Sequence, residues 1–283
     1  MTRLRIGTRG SQLALWQASE VQRRLALAGH EAEIAVVKTT GDKRQDVSLA
    51  AIGGKGLFIK ELEEALERQE IDVAVHSLKD VPSLIPEHFT LAAFLERADP
   101  RDAWVHVDGR PIEDMPDAAI IGTSAPRRRA QLARLFPHLR AAEIRGNVDT
   151  RLRKARDGEY AGLVLAAAGL TRLGRAREIT SYFSIDEMIP AAGQGIVAIE
   201  CLASNQLAGE AVRAINHEES ERAALTERAL LQKFGTRLDC YSAVAAHWSS
   251  GELRAFVAGI RARGTNVDDV YRQLIERGAE RLL

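Results

Sequence analysis

Cysteine is nearly absent from this sequence. Two thiols in 283 residues exclude a disulfide framework, and with no histidine cluster beside them they exclude a zinc site of ordinary spacing. Aromatic residues make up only 5%, too few to supply the stacking platforms that single-stranded nucleic acid requires. Net charge is missing too. Thirty-nine basic and thirty-nine acidic side chains cancel, so no global field draws the chain to nucleic acid or to an anionic membrane. No apolar run approaches the ~20 residues of a spanning helix. Met1-Thr2-Arg3-Leu4 leads straight into a strand-like segment with no signal-peptide core, so a soluble, cytoplasmic protein is expected. What is present, 46% hydrophobic and 28% charged residues, is ordinary globular composition. At ~150 residues per domain the length suggests about two domains.

Strand-like and helix-like stretches alternate along the chain. Residues 4–7 read as a strand, and Ser11 caps a helix with Leu13, Trp16, Val21 and Leu25 along one side. Strands are expected at 33–37, 71–75 and 90–94, with a helix over about 57–68. The pattern restarts with strands at 103–107, 120–123, 141–144 and 162–166. Between the second and third of these a helix opens at Ser124-Ala125-Pro126, a capping hydroxyl with proline in the first turn. A punctuated crossing at 190–195 precedes an alternating, mostly apolar strand at 196–201, and helical sequence follows over 206–234. Two strands at 242–248 and 252–258 and a helix over 267–282 close the chain. The fold class is therefore α/β: two α/β domains and a small α+β third, bounded at 1–95 with 196–212, at 96–195 and at 213–283. Residues 259–266 are too few for a further strand, so the third domain is expected to be abbreviated.

Arginine outnumbers lysine 32 to 7, and between Arg127 and Arg156 nine arginines and Lys154 face only Glu143 and Asp149. Ligands of open α/β sheets bind beyond the carboxyl ends of strands. That rule gathers the turns at 8–11, 76–80, 123–128 and 145–147 on a cleft between the two domains. Arg127 and Arg128 sit in the first turn of a helix, where free N–H groups and the dipole favour anions. Thr123 and Ser124 add hydroxyls, and Arg145 and Arg151 add forks that pair bidentately with carboxylate or phosphate. The competing reading, ion pairs with surface acids, finds too few acids nearby. Asp80 follows Lys79 at the end of a strand; it either steadies a substrate cation or moves a proton, or it pairs with Lys79 or caps a turn. Gly53-Gly54-Lys55-Gly56 lacks the spacing of a phosphate loop and reads as the hinge of a lid, with Lys55 an anion contact, or as a plain loop. His30, His76, His88, His106, His138, His217 and His247 show no metal-ligand spacing and read as structural. Cys201 reads as an inert buried thiol. Cys240, between Asp239 and Tyr241, is reactive only with exposure and a lowered pKa.

These segments together resemble the porphobilinogen deaminase (hydroxymethylbilane synthase) family. The likeness runs over about residues 4–235: Thr8-Arg9-Gly10-Ser11, then Gly53-Gly54-Lys55-Gly56-Leu57-Phe58, then Ala74-Val75-His76-Ser77-Leu78-Lys79-Asp80-Val81-Pro82, the most specific stretch. Gly122-Thr123-Ser124 with Arg127-Arg128, Arg145-Gly146-Asn147-Val148 with Arg151, Gly169-Leu170 with Arg172, and Pro190-Ala191 with Gly193-Gln194-Gly195 complete it. The resemblance implies two domains like those of periplasmic binding proteins and a third that carries a dipyrromethane cofactor, thioether-linked to Cys240. It implies stepwise head-to-tail condensation of four porphobilinogen molecules with loss of ammonia, then hydrolytic release of the tetrapyrrole. Asp80 would assist ammonia loss. Arg9, Lys79, Thr123, Arg127, Arg128, Arg145, Arg151 and Arg172 would hold the acidic side chains of cofactor and substrate, and the matched motifs add Ser11, Lys55, Ser77, Ser124, Gly146, Asn147 and Gln194. No metal is implied, and no nucleic acid or membrane partner; a cytoplasmic monomer is expected. Around the attachment cysteine the family has a Gly-Gly pair, where this chain has Leu238-Asp239; Asp239 disfavours a thiolate by like charge. The alternative from another class is a non-catalytic polycarboxylate-binding protein of the same fold without the tethered primer.

Overall fold

A computed structural model of the chain describes residues 3–38, 59–235, 238 and 242–282. The Gly53–Gly56 turn with Lys55, and Cys240 itself, lie outside the described residues. The chain divides into two compact units, Met1–Ala98 with Gly195–Leu225, and Asp99–Gln194 with Thr226–Leu283.

The first unit opens with β1 (Leu4–Thr8), α1 (Gln12–Leu27), β2 (Ala32–Val36), α2 (Lys60–Glu67), β3 (Val73–Ser77) and β4 (Phe89–Phe94). The second holds β5 (Asp102–Val105), β6 (Ile120–Gly122), α3 (Pro126–Leu135), β7 (Arg140–Ala142), α4 (Val148–Arg156), β8 (Gly162–Ala166), α5 (Ala167–Arg172) and the short β9 (Ser181–Tyr182). The chain then returns to the first unit as β10 (Val197–Leu202) and α6 (Gln206–Arg213), and α7 (Glu218–Phe234) follows. The sheet orders, β2-β1-β3-β10-β4 and β7-β6-β8-β5-β9, follow one plan. Three parallel strands come first, then one antiparallel strand, then a strand antiparallel to that one. In each sheet the antiparallel member, β5 or β10, is the first strand after the chain enters that unit.

Burial accounts for the pattern. All of β3 except its last residue is buried, as expected of a strand covered on both faces. Ser11 caps α1 by accepting the Ala14 N–H at 3.3 Å. The buried stripe of α1 is Ala14, Ala18, Val21 and Leu25, spaced for one helix face, which packs on Ile6, Val73 and Val197. Leu13 and Trp16 lie off that stripe, and Trp16 is 39% exposed. In the second unit Trp104 is fully buried, and a Cβ on Gly162 would stand 2.1 Å from its indole; only glycine admits the ring there.

Helical sequence over 206–234 is broken into α6 and α7, because Asn216 Oδ1 accepts the Phe94 N–H (2.9 Å) and the His217 N–H donates to the Phe94 carbonyl (2.8 Å). The third sheet, β11 (Val244–Ser249), β12 (Glu252–Val257) and β13 (Ile260–Gly264), is an antiparallel meander. It packs with the end of α7 and with α8 (Val267–Glu276) around Leu230, Phe234, Leu253, Val270 and Leu274. The expectation that residues 259–266 hold no strand is overturned. Ala258 (φ 46°) and Gly259 (φ 106°) form a two-residue turn, the conformation that matches strand twist in tight hairpins. Ile260 therefore pairs at once with Val257. The closing helix ends at Glu276 rather than 282. Among the described residues no helix is long and apolar enough to cross a membrane.

Candidate active site

In the first unit β1 and β3 run parallel and adjacent, so Arg9 and the segment after Ser77 leave the same end of the sheet. Gln17, buried on α1, donates from Nε2 to Ser77 Oγ at 2.7 Å and fixes that strand end. The chain then makes a single tight turn, Leu78–Asp80. Leu78 is buried and anchors it, which leaves Lys79 and Asp80 exposed. The Asp80 carboxylate has no hydrogen-bond or ion-pair partner among the described residues. Arg9 is half-buried one strand away, and the Ser11 hydroxyl caps α1. Beneath this edge, within the sheet, His76 Nε2 meets Glu200 Oε2 at 2.9 Å with both side chains buried. Glu200 sits in an apolar strand, and sequence reading did not single it out.

In the second unit the ends of β7, β6 and β8 lie side by side in that order. Thr123 follows β6, fully buried, and its Oγ1 has no hydrogen-bond partner among the described residues. The Ser124 hydroxyl donates to the Ile144 carbonyl and accepts the Ile144 N–H at 3.2 Å. Ser124 thus stitches two strand ends together and is not the helix cap: Ala125 is, with no side-chain bond. Beyond β7, Arg145 Nε donates to Glu143 at 3.1 Å, and its buried Nη2 has no hydrogen-bond partner among the described residues. Gly146 has φ 106°, and a Cβ there would strike the Thr150 side chain; the freed backbone lets the Gly146 carbonyl accept Arg151 Nε at 2.8 Å. Asn147 caps α4 by accepting the Thr150 N–H at 2.9 Å. Arg172 ends α5, beyond β8, half-buried.

Arg127 and Arg128 are buried in the first turn of α3, each 5% exposed. Contrary to the expectation from sequence, they do not lack an acid. Asp102, 25 residues earlier and fully buried, accepts Arg127 at 2.5 and 3.1 Å and Arg128 at 3.0 and 2.8 Å. Gln194 joins them, accepting from Arg127 Nη2 at 2.9 Å and donating to Asp102 at 2.9 Å and to the Pro100 carbonyl at 2.7 Å. The two cations hold the Asp102 carboxyl well below its ordinary range despite burial that opposes its charge. Sequence reading missed Asp102; its only signal is an acid opening an otherwise apolar strand.

Chemically, this sheet edge offers cationic forks and a hydroxyl with unspent donors, which fits an acidic ligand with several carboxylates. The orphaned Thr123 Oγ1 and Arg145 Nη2 are the donors such a group would satisfy.

A family model described as porphobilinogen deaminase, dipyromethane cofactor binding domain, matches residues 4–210. The porphobilinogen deaminase of Geobacter sulfurreducens (strain ATCC 51573 / DSM 12127 / PCA) is 47% identical over 266 residues, covering 92% of this chain and 83% of the relative. That of Desulfitobacterium hafniense (strain DSM 10664 / DCB-2) is 49% identical over 235 residues, 82% of this chain and 76% of the relative. Among solved structures, a putative methionine-binding lipoprotein from Bacillus subtilis subsp. subtilis str. 168 aligns with a TM-score of 0.47 at 10% identity, over 78% of this chain and 92% of that one.

Proposed function

Since the chain belongs to the porphobilinogen deaminase family, we propose that it condenses four porphobilinogen molecules head to tail and releases the linear tetrapyrrole by hydrolysis. At each addition a C–N bond to the departing ammonia breaks and a C–C bond between pyrroles forms. The acceptor pyrrole carbon gives up its proton. The dipyrromethane cofactor, when bound, supplies the first acceptor carbon, and we assign its thioether attachment to Cys240. Residues 1–95 with 196–212, 96–195 and 213–283 serve as three functional parts, the last bearing the cofactor.

Asp80 is the catalytic group. Its exposed, unpartnered carboxylate faces positive charge as ammonia leaves and accepts hydrogen bonds from pyrrole N–H groups. Arg9, Ser11, Ser77 and Lys79 at one sheet edge, and Thr123, Ser124, Arg145, Gly146, Asn147, Arg151 and Arg172 at the other, hold acetate and propionate groups. Arg127, Arg128 and Gln194 brace the second set through Asp102, and Lys55 adds a contact from outside the described residues. The reading includes a cytoplasmic monomer that binds no nucleic acid, supported by the balanced charge.

The observation that carries this function is an unpartnered carboxylate at a parallel strand's end, inside the matched family region. Intact mass of the purified chain tests it. The mass is expected to exceed that of the sequence by two linked pyrrole units, and Cys240→Ser is expected to remove the excess. Asp80→Ala should keep the adduct while turnover falls ~10²–10⁴-fold. An unmodified chain without turnover that still binds polycarboxylates would establish the non-catalytic alternative instead.

A further inference from the structure

A second basic site lies in the second unit, on residues that none of the motifs above includes. It is a cavity of about 540 Å³ walled by Arg254, Arg261, Arg263, Arg277, Gln273 and Asp186, within the ~300–1,000 Å³ typical of small-molecule pockets. Two of its four arginines are neutralised. Arg254 pairs with Asp186 at 2.9 Å and Glu252 at 2.7 Å, and Arg263 lies 3.9 Å from Glu252. The other two are held by backbone alone. Arg261 donates to the carbonyls of Asp186 and Glu187, and Arg277 donates to the Arg261 carbonyl. Neither has a carboxylate within ion-pair distance among the described residues. Arg134, exposed at the end of α3, has no acidic partner there either. Burial first, and then the charge of Arg134, push the Arg261 guanidinium below its ordinary pKa against the opposing pull of Asp186.

Arg261 and Arg277 line one concavity with no carboxylate at ion-pair distance among the described residues, and the like charge of Arg134 acts on Arg261, so these guanidiniums repel one another unless an anion joins them. We propose that this cavity binds a small anion bearing two or more carboxylate or phosphate groups, held by Arg261 and Arg277 and drawn in by Arg134. The carbonyl contacts orient the Arg261 fork in advance, which lowers the ordering cost of a bidentate grip. Ile189 also lines the cavity, and its carbonyl accepts Arg127 Nη1 at 3.2 Å and Gln131 Nε2 at 3.0 Å. A ligand there would press on the element that braces the Arg127 network.

The test is calorimetric titration of the purified holoenzyme at low ionic strength, with citrate in one arm and inorganic pyrophosphate in the other. At least one is expected to saturate, and the stronger of the two identifies the oxyanion preferred. In Arg134→Gln/Arg277→Gln the affinity should fall at least tenfold, whereas Arg145→Gln, at the candidate active site, should leave it unchanged. If the double variant does not fold, Arg134→Gln alone serves, with a threefold or greater loss expected. Failure of both anions to saturate the wild type, or wild-type affinity in the variant that folds, overturns the proposal.

Discussion

Replacing Asp102 with asparagine changes one oxygen for one amide and removes one charge, yet it should be among the costliest substitutions in the second unit. The carboxylate is fully buried and receives four bonds from Arg127 and Arg128 and one from Gln194. An amide keeps one acceptor and turns a donor toward guanidiniums that are themselves donors. Two buried cations then lack a counter-charge. Removing one partner of a buried ion pair costs about 3–5 kcal/mol, a fall of the melting midpoint on the order of 10 °C for a unit of this size. Urea denaturation of Asp102→Asn against the wild type measures it; a loss under ~1 kcal/mol would refute the claim that this network holds the unit together. The pH dependence gives a second check. Asp102 titrates below its ordinary 3.8, so its contribution is complete above that value and drains away as pH falls toward the depressed native pKa. Wild-type stability should therefore decline more steeply below about pH 4 than that of Asp102→Asn. Parallel curves would show that the depression is not real.

Two further expectations rest on packing and on burial. Gly162→Ala forces a methyl into the Trp104 ring, 2.1 Å away, and should cost at least ~1–3 kcal/mol as overpacking; a neutral result in denaturant titration would mean that the indole shifts freely. The Cys201 thiol is pushed up to about 11, first by burial and then by Glu200, so iodoacetamide at pH 8 should leave it unlabelled in the native protein. Rapid native labelling at Cys201, read by peptide mass, would contradict that burial.

Much of the fold was legible because its signals are local. The mostly apolar stretches at 71–75 and 162–166 lie at, or within two residues of, the central strands Val73–Ser77 and Gly162–Ala166. What escaped depends on partners remote in sequence or on backbone geometry. The α1 stripe was misplaced because large residues, Leu13 and Trp16, drew attention from the small Ala14 and Ala18 that fit against the sheet. β13 was missed because a two-residue turn of Ala258 and Gly259 saves the length that a longer loop would use. Ser124 looked like a cap, but the Ile144 backbone, on a neighbouring strand end, offered it both a donor and an acceptor.

The arginines expose the deeper limit. In sequence, Arg127, Arg128 and Arg145 look alike: each follows a strand, in a stretch poor in acids. Structure separates them, since the first two are buried against Asp102, whereas Arg145 makes one contact with Glu143 at 3.1 Å and keeps a donor unspent. On the proposed function one charge type is given two tasks, bracing and binding, and the two should come apart under mutation. Arg127→Gln deletes a guanidinium with four hydrogen bonds and strands buried acceptors, so a loss of about 3–5 kcal/mol in stability is expected. Arg145→Gln forfeits one half-exposed ion pair, worth ~1 kcal/mol or less. It should nevertheless slow turnover at least tenfold, the loss of about 1.4 kcal/mol of transition-state binding. Urea titration and steady-state rates on both variants decide the matter. Equal stability losses, or full activity in Arg145→Gln, would mean that burial does not distinguish the bracing arginines from the binding ones.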